Sequence, residues 1–406
     1  MENSYILKQY NLILLRYGEI WLKSQKVKIR MLKILINNIK KMLKKRNISF
    51  HKHQLSKDSS RVLFFFKNED IPRALEVLKN VFGIYSASPA LRTSNQLENI
   101  CERVIEVGRY ILKKDDTFAI RVKRSGKHDY TSMDVARIVG KTILDTFSNL
   151  ELKVNLRAPK KVIFVEIRDE FSYIFTDIIK SNWGGLPIED QKKVVVMDIG
   201  RLNDLISSFL VMKRGCVIYP ILFEITYNKK TFNIWKSNWK ELAHYIPFFK
   251  FSLKKINIVN IIQFVERKIQ NKKYLCGICR LIRLEILSKL IETLSSNTNI
   301  KIRAIIDGVS LNNSTLCPDY VDFNSIALNY MFSIYPIFTP IIGLESNEID
   351  DLSGKISPNL KEFDYCDFKP KNQEFNLKRL KELYQSLELS DLIQQNFQNI
   401  EHIKIF

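Results

Sequence analysis

The segment Val194–Gly215, VVVMDIGRLNDLISSFLVMKRG, constrains the fold of this chain more than any other. Its β-branched run at Val194, Val195 and Val196 predicts a strand, Gly200 a tight turn, and Leu205, Ile206, Phe209 and Leu210 an apolar helix. A strand that enters a helix through a glycine turn is the layout with which α/β sheets hold phosphate on a helix N-terminus. The residues of the turn do not follow that layout. A pyrophosphate cradle offers small side chains and several open backbone N–H groups, whereas this turn continues from Ile199 and Gly200 into Arg201, Leu202, Asn203 and Asp204.

The surrounding pattern places the segment in a larger α/β unit. Strands at Val194–Met197, Val217–Ile225, Asn257–Ile261 and Lys301–Ile306 alternate with helices at Leu205–Lys213, Thr231–Tyr245, Arg280–Leu294 and Phe323–Leu328. That alternation predicts a parallel sheet with helices on both faces, followed by two amphipathic helices from Leu377. The first half reads differently. A strand at 11–16, a helix at Val27–Lys45 with a strongly basic outer face, a strand at Arg61–Phe66 and a helix at Ile71–Val81 suggest a small α+β unit of ferredoxin-like type. A second α+β unit follows, with helices Leu97–Leu112 and Ser132–Phe147 and strands Thr117–Val122, Lys153–Leu156, Val162–Ile167 and Tyr173–Ile179. The turn-forming run Asn182–Pro187 closes it. The expected domains are therefore 1–72, 73–187 and 188–406.

Charge is distributed unevenly over these units. Residues 1–187 hold 35 basic against 19 acidic side chains, so they carry +16 of the net +21. A basic excess gathered in one half favours a polyanionic partner, nucleic acid before others. Two clusters stand out there. Arg121, Lys123, Arg124, Lys127 and His128 run from the end of a strand into a loop, with Tyr130 available to stack on an unpaired base and Ser132 to cap the next helix. Arg157, Lys160 and Lys161 surround Pro159 in a strand-to-strand turn, and Arg137 and Lys141 extend the basic surface along the intervening helix. One basic turn is as readily a solvated one; two in a single small unit point to RNA. No secretory signal or membrane-spanning run is legible, since the apolar stretch Tyr330–Leu344 is short and broken by Pro336 and Pro340, so a cytoplasmic protein without a membrane partner is expected.

Six cysteines without an export signal argue against a disulfide framework and draw attention to the close pair Cys276 and Cys279. The pair precedes an apolar helix, beside Arg280 and Arg283, and both features favour the thiolate. Zinc would need two further ligands, for which only His244 and Cys366 are placed; inert buried cysteines are the plain alternative. No Ser/His/Asp set and no Walker lysine loop is present.

Leu14–Lys23 (LLRYGEIWLK), Val81–Ile84, Arg121–Ser132, Trp183–Pro187 and Met212–Gly215, in this order, resemble the tRNA 4-thiouridine synthase (tRNA sulfurtransferase) family over nearly the whole chain. The resemblance implies a ferredoxin-like domain, a THUMP domain that binds the tRNA acceptor end, and a PP-loop ATP-pyrophosphatase domain. It also implies a reaction in which ATP adenylates a tRNA uridine and a protein persulfide displaces AMP. The likeness is to members without a rhodanese extension, mainly archaeal, whose CxxC pair and a further cysteine serve as a persulfide or iron–sulfur site; Cys276, Cys279 and Cys366 match those positions. The family's Ser-Gly-Gly-Ile-Asp-Ser-Pro loop falls on Ile199–Leu205, where Arg201 replaces a glycine, Asn203 the Asp and Asp204 the Ser. Bulk and negative charge there oppose ATP, although Arg201 is also able to meet a phosphate. Thr339–Gly343 with Glu345–Ser346, and Gly308–Thr315, where only Ser314–Thr315 hints at the family loop, depart from two further family segments. The expected function is thus tRNA binding in, or derived from, tRNA thiolation, with impaired adenylation; a working synthase is the alternative. A third reading, a THUMP-bearing base methyltransferase, is not supported, since no glycine-rich cofactor loop follows a strand in this chain. Expected partners are tRNA and a protein supplying sulfur or adenylation, with a second copy of the chain as a further candidate.

Overall fold

The computed structural model describes residues 9–168, 170–297, 301–311, 323–363, 365–370 and 376–405. Ser314–Thr315, Cys317 and Asp364 lie outside the described residues. The chain divides into two compact units, Met1–Pro187 and Ile188–Phe406.

The first unit runs β1 (Leu12–Tyr17), α1 (Gln25–Lys45), β2 (Lys52–Leu55), β3 (Val62–Phe65), α2 (Ile71–Leu78), β4 (Ile84–Ser94), α3 (Leu97–Ile111), β5 (Thr117–Ser125), α4 (Ser132–Thr146), β6 (Lys153–Val154), β7 (Lys161–Arg168), β8 (Phe171–Phe175) and β9 (Ile179–Lys180). Its strands form one sheet in the order β2-β3-β1-β4-β8-β7-β5-β6, with β9 beside β4. The unbroken apolar run of β1 follows from burial on both faces. Ile13 and Leu15 pack with Leu32, Leu35 and Leu75 of α1 and α2, whereas Leu12 and Leu14 pack with Leu63, Tyr173 and Phe175 on the opposite face. β4, which the apolar spacing does not predict, joins the two halves of the sheet. Its first part pairs with β1 and its last four residues with β8. Small residues and Pro89 in the run IYSASPALRTS give no strand signal, although the strand is largely buried. α4 is capped one residue earlier than expected. The Asp134 N–H donates to Thr131 Oγ1 at 3.1 Å, and the Thr131 N–H donates to Asp134 Oδ2 at 2.9 Å.

The second unit runs β10 (Lys193–Asp198), α5 (Leu202–Lys213), β11 (Val217–Glu224), α6 (Lys229–Ala243), β12 (Ser252–Asn257), α7 (Val259–Lys268), α8 (Leu275–Asn297), β13 (Ile302–Ile306), α9 (Phe323–Phe332), β14 (Ile337–Phe338), α10 (Ser346–Ile356), α11 (Leu377–Ser386), α12 (Ser390–Gln398) and β15 (Glu401–Lys404). The sheet order is β14-β13-β10-β11-β12-β15; all neighbours are parallel except the pair β12 and β15. The predicted strand Asn257–Ile261 is corrected: the strand is the lysine-containing Ser252–Asn257, and Val259, Ile261, Ile262 and Val265 begin the buried face of α7. The isoleucines straddle the strand–helix junction, so no single period describes them. From β10 the chain progresses outward through β11 and β12, then returns to place β13 on the other flank of β10. The carboxyl ends of β10 and β13 therefore form the topological switch point at which open α/β sheets receive ligands.

Candidate functional site

At this switch point the turn Ile199–Arg201 follows β10, and Gly200 adopts φ +98°, a conformation that glycine accepts without strain. A Cβ at Gly200 would lie 2.7 Å from the Phe363 ring. Asp204, in the first turn of α5, turns its carboxylate back into the loop. It accepts the Ile199 N–H at 3.1 Å and the Gly308 N–H, from the loop after β13, also at 3.1 Å. Gly308 has to be a glycine here, since a Cβ would approach Asp204 Oδ1 to 2.4 Å. The Gly200 N–H donates to Asp198 Oδ1 at 2.7 Å. Backbone donors of the kind that surround a bound phosphate are thus engaged by carboxylates of the chain itself.

Arg201 is buried, 4% exposed. Its Nε donates to both Asp204 oxygens, at 3.1 and 3.0 Å, and its Nη2 bonds Asp204 and reaches Asp307 Oδ1 at 3.0 Å. Asp307 is bridged in turn to Arg280 Nη2, while Arg280 Nε donates to Asn329 Oδ1 at 3.0 Å. Arg283 is buried close enough to act on Asp307. The carboxylates of Asp204 and Asp307 and the guanidinium groups of Arg201, Arg280 and Arg283 therefore form one buried charge network. Burial alone would push the Asp307 carboxyl up, but Arg280, Arg201 and Arg283 hold it below its ordinary value. Burial likewise pulls on Arg201, yet Asp204 and Asp307 raise it above the usual guanidinium range. Asp198 behaves differently. Burial, reinforced by the charge of Asp204, lifts it to about 7, against the N–H donors of Gly200, Trp235 and Trp239. Both indoles donate to Asp198 Oδ2 at 2.7 Å.

The three cysteines singled out in the sequence come together. Cys276 and Cys279 lie in the first two turns of α8, and Cys366 meets Ile225 in a parallel bridge just past β11. All three line one small apolar cavity with Ile225, Ile262, Leu275 and Phe368. Of the two neighbouring arginines, Arg280 donates to Asp307 and Asn329, and Arg283 is buried close enough to act on Asp307. Among the described residues no three His, Cys, Asp or Glu side chains converge as a metal site. Shared lining of a cavity is thus not a ready ligand set for a single zinc ion.

In the first unit, Lys123 and Arg124 end β5, Lys127 and His128 occupy the following loop, and Arg137 and Lys141 lie exposed on α4. Arg124 Nη1 donates to His128 O at 3.4 Å, and His128 Nε2 is 3.0 Å from Ser125 O, which ties the loop to the strand. The ring of Tyr130 stacks on His128 at 5.7 Å and packs against the apolar core, while its hydroxyl donates to Asn95 O at 2.7 Å. Arg157 is exposed in its turn, Lys160 pairs with buried Asp116 at 2.7 Å, and Lys161 opens β7. A buried charge cluster nearby is not predicted from the sequence, although its Arg16 lies in the Leu14–Lys23 motif. Glu166 receives Arg16 at 3.2 Å, Arg61 at 2.7 Å and Arg168 at 2.5 Å, and Arg168 also pairs with Asp58 at 2.7 Å. These residues come from β1, the β2–β3 turn and β7, so no spacing in the sequence announces them. Among the described residues no helix is long and apolar enough to cross a membrane.

Comparison with known proteins is consistent along the chain. Residues 12–88 match the ThiI ferredoxin-like domain, 94–177 the THUMP domain and 190–388 the thiamine biosynthesis protein (ThiI) family. A probable tRNA sulfurtransferase of Methanosarcina acetivorans is 31% identical over 357 residues, covering 86% of this chain and 81% of that protein. One from Methanobrevibacter smithii is 28% identical over 410 residues, covering 97% and 100%. The crystal structure of a 4-thiouridine synthetase–RNA complex with bound ATP superposes with a TM-score of 0.80 at 20% identity, covering 98% of this chain and all of that one. A Pyrococcus horikoshii protein superposes with a TM-score of 0.63 at 22% identity over 85% of this chain and 99% of its own. At these identities the two superpositions speak to the fold.

Proposed function

We propose that this chain, which belongs to the tRNA sulfurtransferase family, binds tRNA through its basic first half and serves tRNA thiolation with its own ATP-dependent adenylation impaired. The observation that carries this reading is the Asp204 carboxylate, which accepts the Ile199 and Gly308 N–H groups in the switch-point crevice. A nucleotide phosphate entering there would have to displace a buried carboxylate together with the Arg201 guanidinium paired to it. Removing either partner alone leaves a buried charge uncompensated. The residues present do not fit ATP in the manner of a glycine-rich phosphate loop.

The cysteine cavity supports a retained sulfur role. Three thiols from separate turns share one apolar pocket, an arrangement suited to holding sulfane sulfur away from water. The apolar lining suits a persulfide, and the same three thiols are those that would hold an iron–sulfur cluster. The chain would then act on tRNA uridine activated by another protein, which makes a sulfur donor or an adenylating partner part of the system. The basic strand end and loop at Lys123, Arg124 and Lys127, with Arg157 in a second turn, are the surface offered to phosphates.

The test is incubation of the purified protein with ATP and tRNA. The expected result is tRNA binding with no release of AMP or pyrophosphate. Release of pyrophosphate above a no-enzyme control overturns the impaired-adenylation reading and restores that of a working synthase.

A further inference from the structure

We infer that Asp367 is a positioning residue that latches the segment bearing Cys366 to the end of β11, and thereby keeps the third thiol in the cavity with Cys276 and Cys279. Cys366 is joined to the sheet by an isolated bridge to Ile225. A lone bridge lacks the neighbouring ladder bonds that hold a strand in register, so the segment needs another tie. The Asp367 carboxylate supplies it twice over. The Asp367 N–H donates to Ile225 O at 3.3 Å as part of the bridge itself, and its Oδ2 accepts the Tyr227 N–H at 2.6 Å and the Thr226 hydroxyl at 2.9 Å. Hydrogen bonds to a carboxylate are stronger than those between neutral groups. Thr226 Oγ1 also accepts the Asn228 N–H at 3.1 Å, and Asn228 Oδ1 caps α6 by accepting the Lys230 N–H at 3.0 Å. The latch is thus anchored to a helix end. Phe368 closes it on the other side, its ring 5.7 Å from that of Tyr227 and also lining the thiol cavity.

The consequence for sulfur transfer rests on the proposed role of the cavity, but the placement of Cys366 is measured without activity. The full-length protein is treated with stoichiometric diamide, which takes two electrons and two protons from each pair of thiols joined, and the Cys366–Cys276 and Cys366–Cys279 linkages are quantified by peptide mapping. Asp367→Ala is expected to lower their yield roughly tenfold, the equivalent of one charge-assisted hydrogen bond. Asp367→Asn keeps an acceptor oxygen and stays within about threefold of the unaltered protein. Thr226→Val removes one donor, is expected to give an intermediate yield, and serves as the test if Asp367→Ala does not fold. Thermal unfolding of each variant separates loss of the latch from loss of the fold. Equal yields in all variants, or no linkage to Cys366 in the unaltered protein, overturn the inference. The sulfur role fails on a different result, namely unchanged protein-bound sulfane sulfur in Cys366→Ser.

Discussion

Arg201 and Asp204 stand three residues apart across the start of a helix and form a bidentate ion pair, fully enclosed, inside the crevice where a doubly wound sheet would receive its ligand. Asp307, from the opposite flank of the crevice, completes the charge balance. The pair is local in sequence, but its burial comes from the whole sheet.

Arg201→Ala is expected to destabilise the second unit by about 3–5 kcal/mol, because Asp204 and Asp307 lose a shared buried counter-ion. Urea denaturation followed by circular dichroism measures it. A change of under about 1 kcal/mol would mean that the network is worth no more than a surface pair.

Asp198 gives the second unit a pH signature. Its pKa is about 7 in the fold against an ordinary 3.8, so between those values the folded protein keeps a proton that the unfolded chain has lost. Stability from this group is therefore highest below about pH 4, falls as pH rises towards 7, and is level above that. Ionisation occurs beside two indole N–H donors. Tryptophan emission should titrate with a midpoint near 7, and Asp198→Asn should abolish that transition; its persistence in the variant would assign it elsewhere.

Glu166 has the opposite sign. Burial acts to raise its carboxyl, but Arg61, Arg168 and Arg16 hold it below the ordinary value of 4.5. Its contribution is present above that value and lost as pH falls through the lower, folded one. Glu166→Gln is expected to cost about 3–5 kcal/mol at neutral pH. The gap from the unaltered protein should narrow in acid, as read from denaturation midpoints across the pH range.

The RNA surface is tested by replacing Lys123, Arg124 and Lys127 with Ala. Affinity for tRNA at low salt should fall at least roughly tenfold, and the slope of log affinity on log salt should flatten by about 0.7–0.9 for each phosphate that is no longer neutralised. Tyr130→Phe should leave affinity unchanged, since the hydroxyl serves Asn95. Unaltered affinity and slope in the triple variant would remove this face from the interface.

Much of the architecture was legible because each element carries its own period. The basic helix Gln25–Lys45, the strand Lys193–Asp198 and helix Leu202–Lys213 around the odd loop, and the two terminal helices stand close to where apolar spacing puts them. β4, with Pro89 and small side chains, and β12, with its lysines, do not announce themselves, because their burial is conferred by neighbouring strands. At the loop, the sequence sets Arg201 and Asp204 where a phosphate cradle would offer small residues. It left open whether the arginine would meet a phosphate or a carboxylate. Only the tertiary structure shows the carboxylate partner, by bringing Asp307 and Gly308 from the loop after β13, about a hundred residues away, against Arg201 and Asp204. In that enclosed space a guanidinium must be neutralised at once, and the carboxylates at hand are the chain's own.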